Sequence, residues 1–370
     1  MSSQIIGLIN LQEDNPLREL NERRPLATMP FGGKFRLIDF TLSNMVNAGI
    51  GDIGILLSAE SRSVLDHIRS AKDWNLARKG DGLFYLPLEA QDIIHPMEGD
   101  VRTYYHNLSF VERAVQPYIL ITRSDYVQNI DYEKVLHFHR RHNADVTVIY
   151  HHPATDITGN FYILDTDDKD RITEITPKTH VKSGENVYMR GILIDCEIFN
   201  RSVRLAYAKG YKFILTDILK RNIDRLRVFG FNYQGYTACI HSVPAYFNAN
   251  MELLDVKKWR SLFLDGERRI YTKIKDEAPA KYMEESAVNN SLVANGCIIE
   301  GRVENSILFR KVRVGKNAVI RNSIIMQHSA VGDDAQLNYV ICDKNAIIQS
   351  EAVLTGTKQM PLCIGKYSVI

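Results

Sequence analysis

From Ser291 to the end of the chain, apolar residues recur every 17 positions in several registers at once, and few folds satisfy that pattern. Val303, Ile320, Leu337 and Leu354 form one register, Val314, Val331 and Ile348 a second, and Leu308, Ile325 and Cys342 a third. Within a turn the inward positions advance by six, five and six, as in Val314, Ile320, Ile325 and Val331. Small residues keep the same frame at Gly301, Ala318, Ala335 and Ala352, and Gly315 returns as Gly332. A unit this short cannot bury its own apolar face, whereas stacked units bury one continuous interior. Hexapeptide-type repetition of this kind therefore predicts a parallel β-helix over 291–370. A β-sandwich of alternating strands is the other candidate, and registers running in phase disfavour it.

The rest of the 370 residues is long enough for a second core. Over 1–255 short apolar runs alternate with helix-like stretches, the rhythm of an α/β domain with a largely parallel sheet. Strands are expected at Gln4–Ile9, Asp52–Leu57, Tyr118–Thr122 and Asp145–Tyr150, and helices at Arg36–Ala48 and Tyr132–His142. Ligands bind at the carboxyl ends of strands in open α/β sheets, which directs attention to the loops after Ile9 and Thr122. Residues 256–290, charged and weakly periodic, read as a connector. A net charge of +2 gives no basic field of the kind nucleic-acid binders carry. Five cysteines without a C-x-x-C pair argue for reduced thiols rather than disulfides or zinc. With no signal-peptide pattern at Met1-Ser2-Ser3-Gln4 and no membrane-length apolar run, a cytoplasmic protein is expected.

Residues 30–50 read P-F-G-G-K-F-R-L-I-D-F-T-L-S-N-M-V-N-A-G-I. This segment closely resembles the one that follows the nucleotide loop in ADP-glucose pyrophosphorylases (glucose-1-phosphate adenylyltransferases). Y-F-N-A-N-M-E-L-L at Tyr246–Leu254 and G-R-V-E-N-S-I-L-F at Gly301–Phe309 extend the resemblance to essentially the whole chain. It implies an α/β nucleotidyltransferase-like (Rossmann-like) domain at 1–255, the connector, and a left-handed parallel β-helix at 291–370. It also implies the chemistry of glycogen biosynthesis, in which a glucose-1-phosphate oxygen attacks the α-phosphorus of ATP. That reaction needs backbone N–H donors from a glycine loop, cations, and carboxylates holding Mg²⁺.

Much of that equipment is overwritten. The family's G-G-x-G-[ST]-R-L loop places its paired glycines on Leu11 and Gln12, its third glycine on Asp14 and its arginine on Pro16. In the family's R-A-K-P motif Arg24 is retained, but Leu26 and Ala27 replace lysine and proline. Asp125 aligns with one metal carboxylate, while Cys239 and Ala238 stand where Y-W-R-D-V-G-T has aspartate and arginine. Thiols are poor partners for hard Mg²⁺. Ile175-Thr176-Pro177 replaces E-K-P on the sugar-phosphate side, and Gly99–Thr103 replaces G-T-A-D-A. The expectation is a chain with no functional catalytic set, no metal and no cofactor of its own, with Asp125 either vestigial or a turn cap. Gly32 and Gly33 are read as turn glycines, and His137, His139 and His142 lack metal-ligand spacing and are read as a solvated face.

The resemblance implies a non-catalytic, regulatory subunit that joins a catalytic paralogue, which carries the Mg²⁺, in a heterotetramer. Phosphorylated-sugar effectors would bind Arg23, Arg24 and Arg36, and the competing reading pairs these arginines with Glu19, Glu22 or Asp39. The other functional candidates are an active pyrophosphorylase with a drifted site, a scaffolding protein, and an acyltransferase built on the β-helix and His328.

Overall fold

The computed structural model describes residues 4–12, 16–17, 20–22, 24–77, 82–88, 99–264 and 266–370. Asp14, Arg23 and Glu19, singled out above, lie outside the described residues.

The strand Ile5–Asn10 is buried along its whole length and runs parallel to Ile53–Leu56 on one side and Tyr118–Thr122 on the other. Such a strand must be apolar on both faces. Ile5 and Ile9 join one core and Ile6 and Leu8 the other, so a single strand anchors both layers. Among the described residues the full sheet has nine strands. Leu83–Leu86 extends it in parallel beyond Ile53–Leu56, and Val187–Asp195 crosses antiparallel to Tyr118–Thr122. Beyond that point Val146–His151, Ile157–Thr166, Ile172–Val181 and Val228–Asn232 complete it. The expected helices form as Leu37–Asn47 and Tyr132–Arg141. In the first, the Asp39 carboxylate accepts the Arg36 backbone N–H at 2.9 Å, closing a capping box across the turn. Gly32 and Gly33 sit in the hairpin just before it, both at positive φ.

Three parallel sheets of five strands each make up the β-helix. Val303, Ile320, Leu337 and Leu354 stack through consecutive pairings, as do Val314, Val331 and Ile348, and Leu308, Ile325 and Cys342. All but Leu354 are buried, and Leu354 is partly so, in one continuous core. A Cβ on Gly301 would stand 2.3 Å from the Ala318 carbonyl oxygen, which explains a glycine where later turns carry alanine. The stretch 256–290 differs from a plain connector. It holds a helix, Val256–Phe263, and two strands, Lys281–Tyr282 and Ala287–Asn289, that already pair into the β-helix.

Each turn also carries an apolar residue one position before the third register. Ile307, Ile324 and Ile341 stack on one another but face outward, into the α/β domain. There they meet Leu26, Met29, Phe31, Phe35, Phe40, Tyr246 and Phe247, all buried. Phe35 stacks on Phe263 with ring centroids 5.0 Å apart, bringing the helix Val256–Phe263 into the same seam. The two domains therefore share a hydrophobic core rather than touching at a wet surface. Ile324→Ala is expected to cost about 2–5 kcal/mol, since the seam cannot collapse around the lost volume. Ile347→Ala, at a half-exposed position of the same β-helix, should cost well under that amount. Denaturant midpoints of the two variants check the difference.

Candidate functional site

A cleft of about 710 Å³ opens beyond the carboxyl ends of the strands Ile5–Asn10, Ile53–Leu56 and Tyr118–Thr122. This is where an open α/β sheet binds ligands, and the volume suits a small molecule. Its walls include Asn10, Gln12, Asp100, Arg102, Thr103, Tyr104, Arg123 and Arg190. Burial raises the Asp100 carboxyl to about 6 even though the Ile214 backbone N–H donates to it at 2.9 Å. The stretch 99–103 thus reaches the cleft through Gly99, Asp100, Arg102 and Thr103.

The first strand ends differently from a phosphate-binding loop. Leu11 is buried in the core beneath the sheet, and its N–H donates to the Leu56 carbonyl at 3.1 Å. Gln12 is held three ways: its N–H donates to Asn10 Oδ1 (2.9 Å), its Oε1 accepts from Thr103 Oγ1 (2.7 Å), and its carbonyl accepts from Arg123 Nη2 (2.7 Å). The N–H groups at positions 11 and 12 therefore already have partners within the protein. Leu26 is buried in the domain seam, and Pro16 is half-buried in a turn. Thr176 pairs with Ile163 on the outer strand Ile172–Val181 and is not among the described residues lining the cleft.

Asp125 lies between the strands Tyr118–Thr122 and Tyr126–Gln128, almost wholly buried. Its main-chain carbonyl accepts the Ile240 N–H at 2.7 Å, a contact that does not involve the carboxylate. Its carboxylate meets a cation of the chain itself: Arg190 Nε stands 3.0 Å from Oδ2. Arg190 gets there by a bulge. Tyr188 faces Tyr150 and Gly191 faces Ile149, so Met189 and Arg190 are extra, and Arg190 takes φ of 55°. Cys239 lies opposite Tyr126 in an antiparallel pair and packs against Phe161, Ile163, Val181 and Val187. His241 stands in the field of both Arg190 and Asp125, its pKa lowered chiefly by burial.

These residues do not fit Mg²⁺. One carboxylate is available, it is engaged by a guanidinium, and the second position is an apolar-packed thiol. A divalent ion about 5 Å from that guanidinium would meet roughly 7 kcal/mol of repulsion at an effective dielectric near 20. Among the described residues no group of three or more His, Cys, Asp or Glu is arranged to hold a metal. The histidines singled out earlier divide: His139 is buried with Nδ1 against Thr147 Oγ1, a correction to its assignment to a solvated face. His142 is only partly exposed, with Nδ1 against the Phe138 carbonyl. His328 is an exposed corner residue of the β-helix at φ of 62°.

A second concentration of charge lies where the α/β domain meets the β-helix. Lys34, Arg36, Lys273, Lys275, Arg310 and His328 surround a cavity of about 60 Å³, with Glu277 as the one carboxylate among its lining residues. Burial, with Arg24 and Arg310 nearby, lowers Arg36 to about 10 despite Asp39, and burial also lowers Lys34 and Lys275. Arg36 Nη1 donates to the Ser63 carbonyl at 3.0 Å. Arg24 departs from the expectation: it is buried, donates to the Leu20 carbonyl and forms an ion pair with Asp343 of the β-helix at 2.7 Å. It is a strut across the domain seam, paired with neither Glu22 nor Asp39, and it lines neither cavity. Of the two expected effector arginines that are described, Arg24 and Arg36, the structure brings Arg36 to the basic cavity. Lys273, Lys275 and Arg310 were missed by sequence reading, since no local motif marks them.

Beside the strut, Lys344 is lowered to about 6 by burial first and then by Arg36 and Arg24, with Asp343 opposing. An unfolded lysine titrates near 10.4, so between pH 6 and 10 the unfolded chain binds more protons and stability rises with pH. Lys344→Met is therefore expected to raise the melting temperature. The gain should be greatest near pH 6 and fade towards pH 10, as parallel thermal melts of variant and wild type will register. Arg24→Ala, which strands the buried Asp343 carboxylate, should lose about 3–5 kcal/mol, and Arg24→Met with Asp343→Leu should recover most of it in the same assay.

Comparison with known proteins agrees with both halves of this architecture. A family model described as Nucleotidyl transferase matches residues 15–256, and one described as GlmU-like, C-terminal hexapeptide matches residues 278–359. The chain is 36% identical over 366 residues to the glycogen biosynthesis protein GlgD of Bacillus subtilis (strain 168), covering 99% of this chain and 96% of that protein. It is 37% identical over 377 residues to GlgD of Geobacillus stearothermophilus, covering 100% and 98%. Against the glucose-1-phosphate adenylyltransferase of Geobacillus stearothermophilus the identity is 31% over 314 residues, covering 82% and 80%.

Proposed function

The chain belongs to the nucleotidyl transferase family, on the branch that holds the GlgD glycogen biosynthesis proteins and the glucose-1-phosphate adenylyltransferases, and from that premise we propose that it is a non-catalytic regulatory subunit. On this reading it assembles with a catalytic paralogue, as a heterotetramer, and raises the rate at which that paralogue makes ADP-glucose from ATP and glucose-1-phosphate. The reading is carried by the engagement of positions 11 and 12, the described start of the loop, and of the metal position with the protein's own groups. Leu11 lies in the core, Gln12 is tied to Thr103 and Arg123, and Asp125 is paired with Arg190. Phosphoryl transfer depends on donors and cations aimed at developing charge, and here those groups are directed at each other.

The regulatory half of the reading is supported by the basic cavity at the domain seam. Several cations held at a partly buried site, with their pKa values lowered, gain from a bound anion, and arginine forks suit phosphate oxygens. The effector is a phosphorylated sugar contacting Arg36 and its lysine neighbours, and it acts where the two domains share a core. No helix among the described residues is long and apolar enough to cross a membrane.

The purified chain with ATP, glucose-1-phosphate and Mg²⁺ is expected to form ADP-glucose far below the ~1–10³ s⁻¹ of working enzymes. Cys239→Asp alone should not restore turnover, because position 11 would remain in the core and Arg190 would remain on Asp125. Turnover on the order of 1 s⁻¹ by the wild-type chain would overturn the proposal. In the mixed assembly, Arg36→Ala and Lys275→Ala should leave co-purification intact and shift the effector response to higher concentration, an effect that added salt weakens. Unchanged effector curves would return regulation to subunit contact alone.

A further inference from the structure

Asp125 and Arg190 form more than the remains of a metal site. We infer that Arg190 takes the place of the divalent cation in the cleft, so that this chain binds a phosphate ester there, without turnover and without any metal. The bulge in the strand Val187–Asp195 carries the argument. Two additional residues and a non-glycine residue at φ of 55° are a local cost that the sheet alone does not require. Their consequence is a guanidinium that lines the cleft while holding the Asp125 carboxylate at 3.0 Å.

The surrounding charge points to the same class of ligand. Among the described residues, Arg102, Arg123 and Arg190 line the cleft with one carboxylate, Asp100, whose pKa is raised by burial. Arg123 spends one Nη on the Gln12 carbonyl, which holds its guanidinium in the wall of the cleft. Asp125 Oδ1 is buried without a hydrogen-bond partner among the described residues, so the carboxylate is satisfied from the Arg190 side only. An arginine fork offers phosphate the planar, paired donors that a metal ion offers as a point charge. Asn10, Thr103, Tyr104 and Asn160 add neutral polar groups suited to sugar hydroxyls.

The inference stands apart from the regulatory proposal, which fails on turnover or assembly, whereas this one fails on binding by the isolated chain. Equilibrium dialysis of the full chain with ADP-glucose, once in EDTA and once in millimolar Mg²⁺, should give dissociation constants agreeing within about threefold. Arg190→Asn keeps a side chain tolerant of the left-handed backbone and should weaken binding about tenfold or more in EDTA, with Arg190→Lys recovering part of the loss. Lys316→Ala, at an exposed position of the β-helix that lines neither cavity, should leave the constant unchanged. Thermal melts confirm that each variant is folded. Absence of binding in both buffers, binding that requires Mg²⁺, or wild-type affinity in a folded Arg190→Asn chain would each overturn the inference. Loss of binding in Arg36→Ala with none in Arg190→Asn would move the ligand to the seam and overturn it as well. The comparison of EDTA with Mg²⁺ needs no variant and decides on the wild-type chain alone.

Discussion

The stripe of Ile307, Ile324 and Ile341 is the contact on which the rest of the molecule depends. It turns one face of a regular β-helix into part of the α/β domain's own core, alongside Phe31, Phe35, Phe40, Tyr246 and Phe247. Because that seam is dry, polar groups near it must be paired. Arg24 and Asp343 are paired, and Lys344 is pushed towards its neutral form. The seam also fixes the hairpin of Gly32 and Gly33 and the start of the helix Leu37–Asn47, from which Arg36 enters the basic cavity. A change at the seam is thereby felt at both the cations of the basic cavity and the first turn of the helix beneath the cleft.

The cleft tells a complementary story. The cavity of about 710 Å³ is open, while Gln12, Arg123, Asp125 and Arg190 are engaged with one another or with neighbouring groups. Leu11 in the core, Gln12 bridged to Thr103 and Arg123, and Asp125 bound to Arg190 are three separate closures with one direction. A site that had merely drifted would leave such groups unpaired and solvated. Internal pairing preserves the fold around the cleft at low cost.

Much of this was legible in the residues themselves. The 17-residue registers predicted the stacking of Val303 on Ile320 on Leu337, and the pairings follow them. Apolar runs located the strands Ile53–Leu56 and Tyr118–Thr122 to within a residue or two, because a doubly buried parallel strand admits no polar break. The outward stripe escaped notice since Ile307-Leu308, Ile324-Ile325 and Ile341-Cys342 are doublets, and the repeat identifies only the inward member. Arg24 and Asp343 are 319 positions apart, and no local pattern predicts such a pair. Arg190 was invisible for a different reason: its side chain reaches Asp125 only through a bulge, and a bulge leaves no periodic mark. His139 was misread because helical spacing cannot show that Thr147 waits on the neighbouring strand.

On the function proposed above, this chain would lend a catalytic paralogue structure rather than a working site. A pre-steady-state burst experiment on a purified mixed assembly tests it most directly, with the ratio of the two chains fixed beforehand by quantifying each. On mixing with excess ATP and glucose-1-phosphate, the first turnover should yield ADP-glucose equal to the number of catalytic-paralogue chains alone. A first turnover equal to the total of both kinds of chain would contradict the account.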